Sequence, residues 1–267
     1  MRNWHGNLSP FGRWSTSGRP FSPAVLFANS EPGVWYDPSD LTTLFQDVAG
    51  TTPVTAAGQT VALMLDKSGN GLNATQSTAA ARPEYQTDGT YHWLEFDGTD
   101  DFMVTPTITP GTDKAQVFAG LHWNALDASR GAVVNLNLGN YNSLALNAPS
   151  AVANQLQFTG FGDNPGGSYS LVANGRPSAG TAVLTGLAEM STGANSLREN
   201  GVEVALGGVA GAGDFAAAAL SVGAWSNAGS PFNGNLYSLI TRFGPNLDTT
   251  TIEKTETYVA NKTGVTL

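Results

Sequence analysis

Short stretches in which apolar and polar residues alternate recur along most of the chain. The residues "LQF" at 156–158 and "VEV" at 202–204 are clear cases. Alternation with a period of two places every second side chain on one face, and therefore predicts half-buried β-strands. The predicted strands cover residues 61–65, 92–96, 101–105, 115–123, 131–139, 142–148, 154–161, 170–175, 181–187, 195–200, 202–207, 219–225 and 235–243.

Asn-Gly pairs stand between or beside several of these stretches, at 70–71, 174–175, 200–201 and 233–234. Both residues of an Asn-Gly pair accept the positive φ angles of a type I′ turn, so each pair is a candidate hairpin turn. The segment "SLRENGVEVAL" carries the strongest hairpin pattern. Many short strands joined by tight turns predict an all-β fold, an antiparallel sandwich or barrel.

The last 21 residues show a different pattern, which predicts one short α-helix. Thr250 and Glu253 have the spacing of a capping box at its start. Lys262 and Gly264 supply a cation and a stop at its end.

The first 24 residues have neither helical nor strand periodicity, and we expect an extended N-terminal arm. Residues 25–267 are expected to form one β-sandwich domain. An arm rich in aromatic and arginine side chains suits an anchoring role, because these residue types dominate binding hot spots. The expected partner-binding residues are Arg2, Trp4, Phe11, Arg13, Trp14, Arg19 and Phe21.

The charge is negative overall and unevenly distributed. The net charge is −9, while the first 30 residues carry +3, so the rest carries −12. An acidic body argues against nucleic acid as a partner. The chain contains no cysteine, which excludes disulfides and thiolate metal sites. No apolar run approaches the ~18 residues of a membrane span, and the N-terminus lacks the apolar core of a secretory signal.

Several motifs in fixed order resemble laminin-G/concanavalin A-like jelly-roll domains. The front half contains "LMLDKSGNGLNATQ" (63–76), "RPEY" (82–85) and "LEFDGTDDFM" (94–103). The back half contains "LRENGVEVA" (197–205) and "FNGNLYSLITRFGPNLDTTTIEKTETYVANKTGV" (232–265). The resemblance covers residues 34–267 and implies a lectin-like antiparallel β-sandwich with a short closing helix.

Residues 26–71 additionally resemble the opening of structural proteins of tailed bacteriophages and prophages. That resemblance implies a non-enzymatic virion protein (a capsid decoration, collar or tail-associated protein) assembled in the host cytoplasm. Its partners would be other virion proteins, and the expected assembly is a homo-oligomer or symmetric lattice. The arm would anchor the protein, and the acidic sandwich would be displayed.

The stretch "HWLEFDGTDDF" (92–102) concentrates four carboxylates. Glu95 and Asp97 would share one face of a strand, as the carboxylate pairs of glycoside hydrolases do. Position 99 is threonine, and Asp100 has the wrong parity to continue the series. We therefore expect no catalytic residue and no enzyme, and a glycoside hydrolase is the least favoured function.

Calcium is the one cofactor for which candidate ligands exist, since hard cations bind several oxygen atoms. Related lectin folds can hold calcium at a rim of the sandwich. The candidate ligands are Asp66, Asn70, Asp97, Asp100 and Asp101. The favoured alternative is that these residues only form turns, with their side chains accepting hydrogen bonds from nearby amides.

Binding of a host surface glycan is the alternative function. Aromatic rings stack on the apolar faces of sugars, and the candidate platforms are Trp123, Tyr141, Tyr169 and Trp225. Most aromatic residues of a sandwich belong to its core, so each candidate must be exposed to qualify.

Overall fold

The computed structural model describes residues 20–125, 129–136, 141–162, 167–208, 211–225 and 229–267. Within these residues, two nine-stranded antiparallel sheets and one C-terminal α-helix confirm the predicted β-sandwich of jelly-roll type. Of the predicted arm, Arg2, Trp4, Phe11, Arg13, Trp14 and Arg19 lie outside the described residues. The division into arm and domain therefore stays a prediction.

Sheet A is arranged around its two longest strands, β9 (Lys114–Trp123) and β18 (Asn233–Phe243), which pair with each other. One flank of β18 pairs with two different strands, one after the other along its length. The order from one edge is β16 (Val202–Leu206), β15 (Ser196–Glu199), β14 (Gly180–Glu189), β9, β18, β7 (His92–Asp97), β6 (Glu84–Thr87) and β3 (Gln59–Thr60), with β1 (Gly33–Tyr36) also on β18.

Sheet B packs against sheet A and consists of shorter strands. Its order is β13 (Ser168–Ala173), β12 (Leu156–Phe161), β11 (Ser143–Asn147), β10 (Ala132–Leu136), β17 (Ala218–Val222), β8 (Met103–Ile108), β5 (Ala74–Thr75), β4 (Leu63–Met64) and β2 (Leu44–Phe45). Strands β1, β2, β3, β5 and β6 were not among the predicted strands, because they are short or lack a clear alternation.

The main core lies between the inner faces of the two sheets. Strand β12 shows the alternation clearly, since Leu156 and Phe158 point into the core and Gln157 points out. Trp123 and Phe96 are among the largest side chains that are fully buried there. Burial of each such side chain contributes roughly 1.5–3 kcal/mol to folding.

A second apolar layer covers the outer face of sheet A. The helix α1 (Thr249–Thr263) places Val259 and Ala260 against Phe118 and Ile240 of the two central strands. Leu26 and Phe27, from a 3-10 turn at Pro23–Phe27, complete this layer. The central strands are therefore buried on both faces, which explains why their residues are almost continuously buried.

The carboxylate of Asp37 fastens the helix to the sandwich. It is buried, and its Oδ2 accepts hydrogen bonds from the hydroxyl of Tyr258 (2.9 Å) and the ammonium of Lys262 (3.0 Å). Burial opposes ionisation, but the hydrogen bonds from Ser39 and Lys262 hold the pKa of Asp37 below its usual value. Lys67 adds a second cation at 3.4 Å, so this buried charge is paired.

Two predicted details of the turns and caps are wrong. The helix is capped by Asp248, whose carboxylate accepts from the Thr251 amide at 2.7 Å, and not by Thr250. The pair at 233–234 lies inside β18 rather than in a turn. Glycine is required at 234 because a Cβ atom there would lie 2.1 Å from the main-chain oxygen of His122.

Other predicted features are confirmed. Asn200 and Gly201 have φ angles of 51° and 77° and join β15 to β16, as the hairpin prediction requires. Gly264 ends the helix with a φ of 73°.

Replacement of Gly33 by alanine is expected to destabilise the protein by about 3 kcal/mol. Gly33 has a φ of +145°, and a Cβ atom would lie 2.0 Å from the main-chain oxygen of Thr241 in β18. Gly58→Ala is the matched control, because its φ is also positive (+80°) but its Cβ atom would enter open space. Urea denaturation of both variants measures the difference, and equal losses of about 1 kcal/mol would contradict the steric argument.

Candidate functional site

The stretch "HWLEFDGTDDF" forms strand β7, a turn and the start of β8, as predicted, but the turn does not close a hairpin. Strand β7 belongs to sheet A and β8 to sheet B, so the turn crosses between the two sheets. The carboxylate of Asp97 accepts hydrogen bonds from the amides of Thr99 (2.7 Å) and Asp100 (3.4 Å). Gly98 supplies the positive φ angle of the turn.

This turn gathers Asp97, Asp100 and Asp101, which we call the acidic rim. One carboxylate oxygen from each lies within 4.8 Å of the others. Asp101 is only 6% exposed, and its Oδ2 accepts a hydrogen bond from the amide of Asp97 at 3.1 Å. Burial, together with repulsion from Asp97 and Asp100, raises the pKa of Asp101 to about 6.

The acidic rim opens into a pocket of about 440 Å³, where Glu84 and Glu95 add two carboxylates. Glu84 lies directly opposite Glu95 on the neighbouring strand. The Arg82 guanidinium at the wall donates to main-chain carbonyls. Glu84 was missed, because only the pairing of β6 with β7 brings it to the rim.

Asp66 and Asn70 do not join the rim, which corrects their prediction as ligands of the same metal site. The carboxylate of Asp66 accepts hydrogen bonds from the amides of Trp35, Ser68 and Leu72. The amide of Asn70 donates to two main-chain oxygens, those of Glu31 and Gly33. Both side chains organise the 65–73 loop, as the turn alternative predicts.

Two of the four predicted sugar platforms belong to the core. Trp123 and Tyr169 are each 2% exposed and pack in the main core, so neither ring can meet a sugar. A period-two pattern assigns side chains to a face without saying which face is solvated. Tyr141, which is 46% exposed, and the partly buried Trp225 remain as candidates.

The outer face of sheet B is unusual because its polar residues are buried. Asn135 lies opposite Ser221 on one side and opposite Ala145 on the other, and Ala145 lies opposite Thr159. Asn135 and Ser221, which alternate with core residues, are 1% and 4% exposed. Asn147 shares this face and is fully buried. We call Asn135, Asn147 and Ser221 the polar floor.

Trp225 helps to cover the polar floor. It follows β17, three strands away from Phe161 of β12 in the sheet order. Nevertheless the two rings are 6.4 Å apart in an edge-on contact, so the segment around Trp225 folds across the outer face. The guanidinium of Arg130 lies over the Trp225 ring, 5.1 Å from its centroid. Tyr141 lies at the same end of the sheet as Phe161, since the neighbouring Asn142 amide donates to Gly162.

The other half of the same face forms an open groove of about 590 Å³. Thr75 and Val104 form part of its wall, and Val104 pairs with Ser221 of the polar floor. Phe45, Val48 and Pro106 make the groove largely apolar. A partly apolar groove thus continues into a polar, partly covered face.

No family model matches the sequence, and no curated protein is significantly similar to it. Solved structures with the same fold are receptor-binding domains of botulinum neurotoxins. A structure of botulinum neurotoxin type C, whose cell entry is described as dependent on interaction with two ganglioside molecules, has a TM-score of 0.59 at 11% identity, over 89% of this chain and 53% of that chain.

Two further structures show the same relationship. The binding domain of botulinum neurotoxin DC in complex with SialylT has a TM-score of 0.58 at 10% identity, over 86% of this chain and 52% of that chain. The same binding domain in complex with rat synaptotagmin II has a TM-score of 0.57 at 10% identity, with the same coverage. At such low identity the likeness shows the fold alone, a lectin-like β-sandwich.

The chain spans about half the length of these neighbours. They are binding domains rather than enzymes. No helix among the described residues is both long and apolar enough to cross a membrane.

Replacement of Asp101 by asparagine is expected to stabilise the protein at neutral pH. The pKa of Asp101 is about 6 in the folded state and about 3.9 in the unfolded chain. Below about pH 4 the carboxyl is protonated in both states, so it does not change the free energy of unfolding. As the pH rises from about 4 to 6, the free energy of unfolding of the wild type falls. Above pH 6 it is lower by the full amount of about 1–3 kcal/mol.

Urea denaturation of the wild type and Asp101→Asn between pH 4 and pH 8 measures this difference. The asparagine oxygen can still accept the Asp97 amide hydrogen bond, so the variant removes only the charge. Asp214→Asn, at an exposed site, is the control and should show no such trend. A stability difference that stays constant across this pH range would contradict the prediction.

Proposed function

We propose that this protein is a carbohydrate-binding module, and that its ligand binds on the outer face of sheet B. The observation that carries this proposal is the partly buried Trp225 with the Arg130 guanidinium 5.1 Å from its ring centroid. An aromatic ring beside hydrogen-bond donors supplies both contacts that a sugar needs, an apolar surface and hydrogen-bond partners.

The fold and its neighbours support this proposal. The helix covers the central strands on the outer face of sheet A, whereas no helix covers the outer face of sheet B within the described residues. Structural neighbours include one that interacts with gangliosides and one in complex with SialylT. Because this chain spans about half of those proteins, glycan binding by this chain is a proposal.

A role as a non-enzymatic virion structural protein stays a prediction from the resemblance of residues 26–71 to bacteriophage proteins. No contact among the described residues adds to it, and the structural neighbours named above are not virion proteins. The two roles are compatible, since a protein displayed on a particle can also bind host glycans. The virion location, the anchoring arm and the symmetric assembly likewise remain proposals.

A glycan array tests the carbohydrate proposal. The wild type should bind a subset of saccharides, and Trp225→Ala should weaken that binding by about 10-fold or more, because it removes the aromatic contact. Trp93→Ala is the matched control, since Trp93 is also a partly buried tryptophan but lies on sheet A. An array without any binding, or an equal loss in both variants, would overturn the proposal.

Calcium binding at the acidic rim is a second, separate proposal. The three carboxylates of the rim are close enough to share one cation, and calcium prefers such oxygen ligands. A bound cation would also offset the repulsion that raises the pKa of Asp101. The rim therefore fits a calcium ion, with Glu84 and Glu95 available in the adjoining pocket.

Thermal unfolding with about 5 mM CaCl₂ or with EDTA tests the calcium proposal. Calcium should raise the melting temperature of the wild type by a few degrees, and the double variant Asp97→Asn, Asp101→Asn should lose this shift. Asp66→Asn should keep the shift, because the Asp66 carboxylate lies outside the rim and accepts hydrogen bonds from the amides of Trp35, Ser68 and Leu72. An unchanged melting temperature of the wild type would exclude a calcium site of millimolar affinity.

A further inference from the structure

Arg130 differs from every other arginine in the described part of the chain. Arg176, Arg198 and Arg242 form ion pairs with glutamates, and Arg82 donates to main-chain carbonyls. Arg130 forms no ion pair with any described residue, and its buried Nε–H has no acceptor. An arginine without an ion pair among the described residues can offer its guanidinium to an anionic ligand.

The fold fixes the position of this guanidinium. Arg130 stands two residues before β10, and Trp225 stands three residues after β17. Because β10 and β17 are antiparallel neighbours, the start of one lies beside the end of the other. The indole ring of Trp225 then supports the guanidinium 5.1 Å from its centroid. Stacking of this kind preorganises the planar fork of an arginine.

The polar floor beside this pair is short of hydrogen-bond donors. Asn147 lies opposite Ala132, two residues from Arg130. The Oδ1 atoms of Asn135 and Asn147 and the Oγ atom of Ser221 are buried without a partner. These atoms are shielded from solvent, so a ligand on this face meets Trp225 and Arg130 rather than the floor.

A neutral sugar has no anionic group that could pair with the Arg130 guanidinium. Planar, bidentate recognition of a carboxylate is the pairing for which arginine is best suited. The protein as a whole carries a net charge of −9, so general electrostatics would repel an acidic ligand. An arginine that pairs with no described carboxylate and is held against Trp225 therefore points to one specific anionic contact.

We infer that the Trp225 face binds an acidic saccharide, whose carboxylate pairs with Arg130 while a sugar ring lies against Trp225. This inference rests on the proposed carbohydrate-binding function. It adds the ligand class and the residue that selects it.

Matched pairs of saccharides that differ only in the acid provide the test. Suitable pairs are oligogalacturonate with oligogalactose of the same linkage, and sialyllactose with lactose. The full chain should bind at least one acidic member about 10-fold or more tightly than its neutral partner, as measured by calorimetry. Raising NaCl from about 50 to 500 mM should weaken the acidic member selectively.

Variants at Arg130 separate charge from geometry. Arg130→Gln should bring the affinity for the acidic saccharide down to that for the neutral one, and Arg130→Lys should recover only part of it, because lysine lacks the planar fork. Lys254→Gln is the control, since it removes an exposed cation on the helix and should leave the preference unchanged. Thermal unfolding confirms that each variant is folded.

The outcomes distinguish the inference from the function on which it rests. Equal binding of acidic and neutral members, or a preference that survives Arg130→Gln, overturns the inference and leaves carbohydrate binding in place. A preference restricted to sulfated saccharides also overturns it, because the assigned contact is a carboxylate. Absence of binding to every saccharide overturns the carbohydrate proposal and the inference together.

Discussion

The pairing of β9 with β18 is the constraint on which the rest of the structure depends. These strands have a sheet neighbour on both sides, the main core on one face and the helix on the other. Their outer face is apolar, so the sandwich alone would expose a hydrophobic surface. The helix must therefore dock, and the buried charge of Asp37 fixes where it docks.

This arrangement separates stability from recognition. Sheet A is enclosed at its centre by the core and the helix, and the acidic rim lies at its margin. Sheet B carries shorter strands and has no helix on its outer face. Polar side chains can therefore occupy the middle of that face, although burying them without partners costs about 1–3 kcal/mol each.

Much of the fold follows from local patterns, whereas the sites depend on which strands become neighbours. Alternation predicts strands such as β12, and the Gly264 stop predicts the end of the helix. Alternation cannot predict that Trp123 faces the core, or that β7 and β8 belong to different sheets. Likewise, Glu84 and Arg130 carry no sequence signal, because long-range pairing alone brings them to the rim and to Trp225.

The two sides of the sandwich also differ in how they would behave in an assembly. Pro20 and Phe21 line a groove with Thr251 and Lys254 of the helix, so the first described residues lie on the helix side. Trp225 lies on the opposite side. Copies tethered through the helix side to one support would all present their Trp225 faces outward. Even millimolar single-site affinity could then give firm attachment to a dense glycan layer through avidity.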